Sequence, residues 1–268
     1  MIVTKVGGSI LNDGLSQNIA LDLKNVTLTN QCVFVHGGGI EVTEIAVKLG
    51  KLQRFVVSPQ GIRSRYTDRE TADIYTMVMA GKLNKQTVLA LQKYGVQAIG
   101  LSGLDGLLVR ALRKKRLLVV DERGRKMAID GGYTGTITAI NSTLLHLLMD
   151  GGYVPVVSPI AVSEEFESLN VDGDRVAANI AGSLKADLLV LLTNVVGLLI
   201  DGKVVPKLST LEIEEILSKI GPGMITKVHA AIEALNLGVK EVVISSGLIE
   251  KPISSVIEHQ VGTVISNE

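Results

Sequence analysis

Residues 33–42 read VFVHGGGIEV, an apolar, β-branched run that meets three consecutive glycines and resumes in residues with helical spacing. Glycine loses the most backbone freedom on folding, so Gly37, Gly38 and Gly39 mark a point of close approach or of positive φ. A strand that passes through glycines into a helix aims several backbone N–H groups at one spot, where the helix dipole favours an anion. The stretch alone leaves two readings open: a bare strand-to-helix turn, or a cradle for phosphate or carboxylate. No Gly-Lys-Ser/Thr follows, which excludes a P-loop, and the glycine spacing is not that of a dinucleotide fingerprint.

Similar apolar runs recur outward from this one, at MIVTKVG (1–7), VQAIGLSG (96–103), YVPVVSPIAV (153–162), ADLLVLLTNV (186–195) and EVVISSG (241–247). Between several of them lie segments with helical periodicity: 71–95, 140–152, 173–186 and 223–238. This alternation predicts an α/β fold with a mainly parallel, doubly wound sheet covered on both faces. Segment 107–140 differs, its strands short and charged with turns at DERGR and DGGYTG, which predicts projecting hairpins.

Composition narrows the function. The chain has 268 residues, 46% of them hydrophobic, enough for one large α/β domain. With 27 basic and 27 acidic residues, the global charge argues against a general nucleic-acid or membrane-surface binder. Cys32 is the only cysteine, which excludes an internal disulfide framework and a multi-cysteine metal site. No apolar stretch approaches a membrane span and the N-terminus is interrupted too early for a secretory signal, so the expected location is cytoplasmic.

Ligands in open α/β sheets bind beyond the carboxyl ends of the strands. Those ends are rich in small residues: Lys5-Val6-Gly7-Gly8-Ser9, Gly37–Gly39, Ser102–Gly106 and Thr193–Gly197. Phosphoryl transfer needs in-line positioning and cancellation of charge, which lysines and backbone amides supply. Lys5 ends a buried-looking strand immediately before glycines, and Lys227 opens a helical segment, where the dipole disfavours a cation unless an anion is shared. Asp172 and Asp174 open another helix, where Asp is a common cap. An Asp held between Lys5 and Lys227 would keep both lysines charged and oriented. Arg63 has the fork geometry for a carboxylate, although a solvated arginine explains it as well.

In order and spacing, KVGGSIL (5–11), VHGGG (35–39), GIRSRYTD (61–68), AGKLNK (80–85), NVDGDRVA (170–177), LTNVVGL (192–198) and GMITKVHAA (223–231) resemble the amino acid kinase family, most closely its acetylglutamate kinase branch. The resemblance implies an open αβα sandwich. Its N-terminal lobe, about 1–170, would bind an amino-acid substrate and its C-terminal lobe, about 171–268, Mg-ATP. It implies that Lys5 and Lys227 stabilise the transferring phosphoryl group and that Asp174 organises them. Gly37, Gly38 and Gly39 would meet the reacting carboxylate, Arg63 the α-carboxylate, and Asn170 the substrate. Gly7, Gly8, Thr193, Asn194, Gly197, Leu198, Asp201 and Lys203 would line the nucleotide site, and no protein side chain would ligate the metal. Asn194 stands where this branch usually has Asp.

GGYTG at 131–135 resembles the signature of related kinases that act on glutamate or 2-aminoadipate attached to a small acidic amino-group carrier protein. Just before it lie Arg113, Lys114, Lys115, Arg116, Arg123, Arg125 and Lys126, in a segment, 110–126, whose only acidic residues are Asp121 and Glu122. With Tyr133 they form a candidate docking surface for an acidic carrier. Blocking the amino group has a chemical purpose, since a free glutamyl phosphate cyclises by attack of its own amine. The alternatives are an acetylglutamate kinase with a free small-molecule substrate, and a nucleotide-binding sensor without turnover. The short N-terminus leads to the expectation of a homodimer without arginine feedback.

Overall fold

Strand-forming runs separated by capped helices leave one economical arrangement, a sheet with helices on both faces, and the computed structural model takes it. It describes residues 1–11, 14–217 and 220–267. Eight strands form one sheet in the order Lys207–Ser209, Thr263–Ser266, Glu241–Ser246, Leu188–Thr193, Ile2–Val6, Cys32–His36, Val154–Ser158 and Ala98–Ser102. The six from Glu241–Ser246 to Ala98–Ser102 run parallel, and the only antiparallel neighbours are Glu241–Ser246 and Thr263–Ser266. The glycine-bearing strand ends therefore share one edge, as the αβα reading expects.

Period-two alternation divides the core into two faces. Val3, Val35, Leu189, Leu191 and Ile244 pack with Val176, Ile180, Val228 and Ala231 of the helices Gly173–Ser183 and Pro222–Asn236. Ile2, Val6, Phe34, Val190 and Leu192 pack on the other face with Ile19 and Leu23 of Gln17–Val26 and Leu91 of Asn84–Lys93. Lys5 shares the face of Val3, which aims it at the start of Gly173–Ser183. That helix is capped by Asp172, whose side chain accepts from the Arg175 N–H.

Two expectations are refined. The periodic segment 71–95 is not one α-helix: Arg69–Thr76 and Asn84–Lys93 flank a π-helical stretch, Met77–Leu83. Met79 is buried there as a core residue should be, whereas Met77 is exposed, because residues two apart on a helix point to different sides. The hairpin Arg116–Val120/Lys126–Asp130 forms as expected and stands apart from a four-stranded sheet of Ser168–Asn170, Ile160–Val162, Val109–Arg113 and Gly135–Ile140. DGGYTG is the corner between the two rather than a turn joining paired strands. Tyr133 donates its N–H to the Thr67 carbonyl at 2.7 Å, and Asn170 donates to the Tyr133 carbonyl at 2.9 Å, which pulls the chain across.

Candidate active site

Three segments far apart in sequence meet at the sheet's carboxyl edge. Lys5 Nζ lies 2.6 Å from Asp174 Oδ1, and Lys227 Nζ donates to Asp174 Oδ2 at 3.2 Å. Lys5 and Asp174 are only 6% and 4% exposed. Burial alone would raise the Asp174 carboxyl, but the two ammonium groups overcome it and hold the group below the usual carboxylate range. Among the described residues, each ammonium forms an ion pair with Asp174 alone, so two cations share one anion. Asp172 is open to solvent on its outer side. The protein packed around it and the charge of Asp174 nevertheless push its carboxyl up. Two ammonium groups and two carboxylates thus meet at one helix start, with Asp174 holding both lysines in fixed positions.

The glycine loops supply the adjoining wall. Gly7 ends the first strand region and precedes a 3₁₀ turn, Gly8–Ile10, while Gly38 precedes the helix Gly39–Lys48. The loops lie back to back: a methyl group on Gly37 would sit 2.6 Å from the Gly8 nitrogen, and one on Gly8 would sit 2.8 Å from the Gly38 nitrogen. The first N–H groups of Gly39–Lys48 have no partner within the helix and carry its positive dipole end. Gly37→Ala is expected to cost about 1–3 kcal/mol, because the clash is with backbone that cannot rotate away. A shift in denaturation midpoint measures it; an unchanged midpoint would show that the loops are not held together.

Other sequence-predicted residues divide. Asn170, at the end of the strand Ser168–Asn170, donates its side-chain amide to Thr67 Oγ1 at 2.9 Å, joining that strand to the residue whose carbonyl holds the corner at Tyr133. Arg63 is exposed on the hairpin Phe55–Val57/Arg63–Arg65, its guanidinium 3.8 Å from the centre of the Phe55 ring. Arg65, two residues on, is buried instead and donates to the Gly39 carbonyl at 2.7 Å, to Thr43 Oγ1 at 2.9 Å and to Gln53 Oε1. Sequence reasoning missed it, since both arginines occupy the same face of one short strand. Thr193 and Asn194 close the next strand end and meet through their side chains at 3.3 Å. The Leu198 side chain is wholly buried, and its N–H takes Thr263 Oγ1 at 2.8 Å. Asp201 and Lys203 are exposed on the small hairpin Leu199–Ile200/Lys203–Val204. That hairpin overhangs the strand end carrying Gly197.

On the basic hairpin, Lys115, Arg116, Arg123 and Lys126 are exposed. Arg125 pairs with Asp121 at 2.8 Å, and Arg113 donates to Glu167 at 2.9 Å and to the Gly132 carbonyl at 2.7 Å while lying over the Tyr133 ring. Lys114 is half-buried; burial first, then Arg175, lowers its pKa.

A buried lysine pair bridged by aspartate, set against glycine loops at the carboxyl edge of an αβα sandwich, defines a phosphotransferase. The chain belongs to the amino acid kinase family, whose model matches residues 1–246. It is similar to the putative LysW-aminoadipate/LysW-glutamate kinase of Nitrosopumilus maritimus (strain SCM1), 54% identical over 268 residues and covering 100% of both chains. It is 46% identical to the LysW-aminoadipate/LysW-glutamate kinase of Sulfolobus acidocaldarius, over 99% of this chain and 100% of that one. Among solved structures, smu.665 from Streptococcus mutans UA159 superposes with a TM-score of 0.81 at 25% identity, covering 100% of this chain and 98% of that one.

Proposed function

We propose that this enzyme transfers the γ-phosphoryl group of ATP to the side-chain carboxylate of 2-aminoadipate, glutamate or both, held by the amino group on a small acidic carrier protein. The observation that carries the reading is the buried Lys5–Asp174–Lys227 cluster, two ammonium groups held on one carboxylate beside the glycine loops. The carrier is favoured by the two relatives' names and by the exposed basic hairpin beside the substrate-side corner. The product is an acyl phosphate, which suits lysine biosynthesis from aminoadipate and arginine biosynthesis from glutamate. One methylene separates the two acids, worth about 1–3 kcal/mol in an apolar pocket, so one site can serve both.

In this reading the N-terminal lobe, up to about residue 170, takes the acid and the C-terminal lobe, from about 171, takes the nucleotide. Lys5 and Lys227 meet the oxygens of the transferring group, where electrostatic stabilisation outweighs any covalent help from protein. Asp174 holds both lysines in place. The amides around Gly8 and Gly37–Gly39 face the carboxylate and the phosphoryl oxygens. Asn170 and one of the two hairpin arginines orient the acid, and Thr193, Asn194, Gly197, Asp201 and Lys203 border the nucleotide. No group of three or more His, Cys, Asp or Glu that could hold a metal exists among the described residues. Mg2+ arriving with ATP would keep several waters and bind mainly through the substrate phosphates. When bound, the ion screens phosphate charge. No helix among the described residues is long and apolar enough to cross a membrane. A cytoplasmic homodimer completes the proposal.

ADP release at fixed Mg-ATP tests it with free acetylglutamate, free acetylaminoadipate and each acid attached to the carrier. Turnover is expected with the carrier-linked acids and little with the free ones. Equal or faster turnover of free acetylglutamate would make the enzyme a conventional acetylglutamate kinase.

A further inference from the structure

His36 is fully buried behind the glycine run and has no part in the chemistry above. It shares its face of the sheet with Phe34, where the helix Asn84–Lys93 packs, and that helix opens with an equally buried residue, Asn84. The Asn84 side-chain nitrogen donates to the carbonyls of Val156 at 2.9 Å and Leu101 at 3.2 Å, and its oxygen accepts from Lys85 Nζ at 3.0 Å. Carbonyls only accept and an ammonium only donates, so the amide has one orientation. Its nitrogen also lies 3.2 Å from His36 Nε2, but its two N–H groups already face two carbonyls, so Nε2 has at most a shared donor there. The single ring proton belongs on Nδ1, 2.9 Å from the Gly37 carbonyl, again a group that only accepts.

We infer that His36 is a positioning residue for phosphoryl transfer, its Nδ1–H holding the Gly37 carbonyl so that the other side of the same peptide group, the Gly38 N–H, stays aimed at the junction with Gly8. The peptide unit is planar and trans, so fixing its carbonyl fixes the N–H in the opposite direction. The Gly38 nitrogen lies at that junction, where a methyl group on Gly8 would reach it at 2.8 Å. Leu83 and Met79 of the π-helical stretch pack beneath Gly38, so the loop is gripped from behind at two points. Burial above all, with Lys5 and Lys85 adding to it against the opposing Gly37 hydrogen bond, brings the imidazole down to a pKa of about 4. The ring stays neutral at working pH, and its one proton is placed on Nδ1 by the Gly37 carbonyl, which can only accept. His36 thus acts without touching substrate, and Asn84 packs against it while bonded to two further strands.

This inference rests on the kinase function proposed above, and its test separates the two. Steady-state turnover of the carrier-linked acid is compared for the wild type, His36→Gln and His36→Asn, alongside long-range 1H–15N NMR of the wild-type imidazoles. The His36 signal is the one lost in both variants. A Gln amide can reach the Nε2 position and keep Asn84, but it leaves Gly37 without a donor, whereas an Asn amide nitrogen takes the place of Nδ1. His36→Gln is expected to lower kcat about tenfold with both KM values within about twofold, and His36→Asn to recover most of the loss. The NMR should show the proton on Nδ1. Wild-type kcat in His36→Gln, or a proton on Nε2, overturns the inference. A wild type that turns over no carrier-linked acid overturns the function instead, and the tautomer then decides the inference alone.

Discussion

Lys227→Ala lowers kcat by about three orders of magnitude, while the Kd for ATP rises less than tenfold. The charge that develops on the transferring group is met by ammonium groups already in place, and one such cation is worth about 10³-fold or more in phosphoryl transfer. Ground-state ATP keeps its other contacts, so binding changes far less. Lys5→Ala gives the same pattern, because Lys5 and Lys227 hold the two oxygens of one carboxylate, at 2.6 and 3.2 Å. Asp174→Asn shows whether they work as a unit. Without the carboxylate, the two ammonium groups lose the group that orients both and repel each other, so kcat is expected to fall as in the lysine variants. Steady-state kinetics with calorimetric ATP titration separate the two quantities; kcat within about threefold of wild type in either lysine variant would remove the cluster from the chemistry.

The cluster also has a pH signature. Asp174 has a folded pKa below its unfolded value, near 3.9 for a free Asp. Its contribution to stability is therefore present above the unfolded value and lost as pH falls through the lowered folded one. Between pH 5 and 8 this carboxylate neither gains a proton nor limits turnover.

Much of this arrangement was legible in the chain because local rules and tertiary structure agree. Alternation along Ile2–Val6 puts Lys5 on a covered face, the glycines after it mark the strand end, and Asp172 is in the common position of a helix cap. That Lys5, Asp174 and Lys227 meet could not be read from spacing, and only the resemblance joined them. Arg65 escaped because Arg-Ser-Arg places both arginines on one face, and only the seating of the hairpin against Gly39 and Thr43 separates the buried one from its exposed neighbour. His36 and Asn84 are 48 residues apart, and nothing in either neighbourhood announces the other. The charges of the basic hairpin could be counted, but Arg113 finds Glu167, 54 residues away, so the number of free cations could not. The π-helical stretch at Met77–Leu83 left no periodic trace, since it adds residues to a turn without changing their polarity.

That hairpin leads to the second large effect. Arg116 and Lys126 share a face: Arg116 pairs with Asp130 and Val120 with Lys126, and directly opposed residues in an antiparallel pair project to the same side. Both are exposed, whereas Arg113 and Arg125 already hold carboxylates of this chain. The double variant Arg116→Gln/Lys126→Glu should therefore change recognition of an acidic carrier without setting two carboxylates opposite each other at Asp130. Its kcat/KM for the carrier-linked acid is expected to fall about 100-fold at low ionic strength, because complementary potential acts mainly on the rate of encounter and like charges repel. Saturating kcat should be unaltered, since the acid still reaches the same lysines. Wild-type kcat/KM should decline as salt rises, and the gap between the two enzymes should narrow as the Debye length shortens from about 10 Å at 0.1 M to about 3 Å at 1 M. A variant that matches the wild type at low salt would leave the basic face a solvated surface and place carrier recognition elsewhere. A fall in kcat with KM unchanged would mean instead that the hairpin shapes the active site through the Tyr133–Asn170 corner.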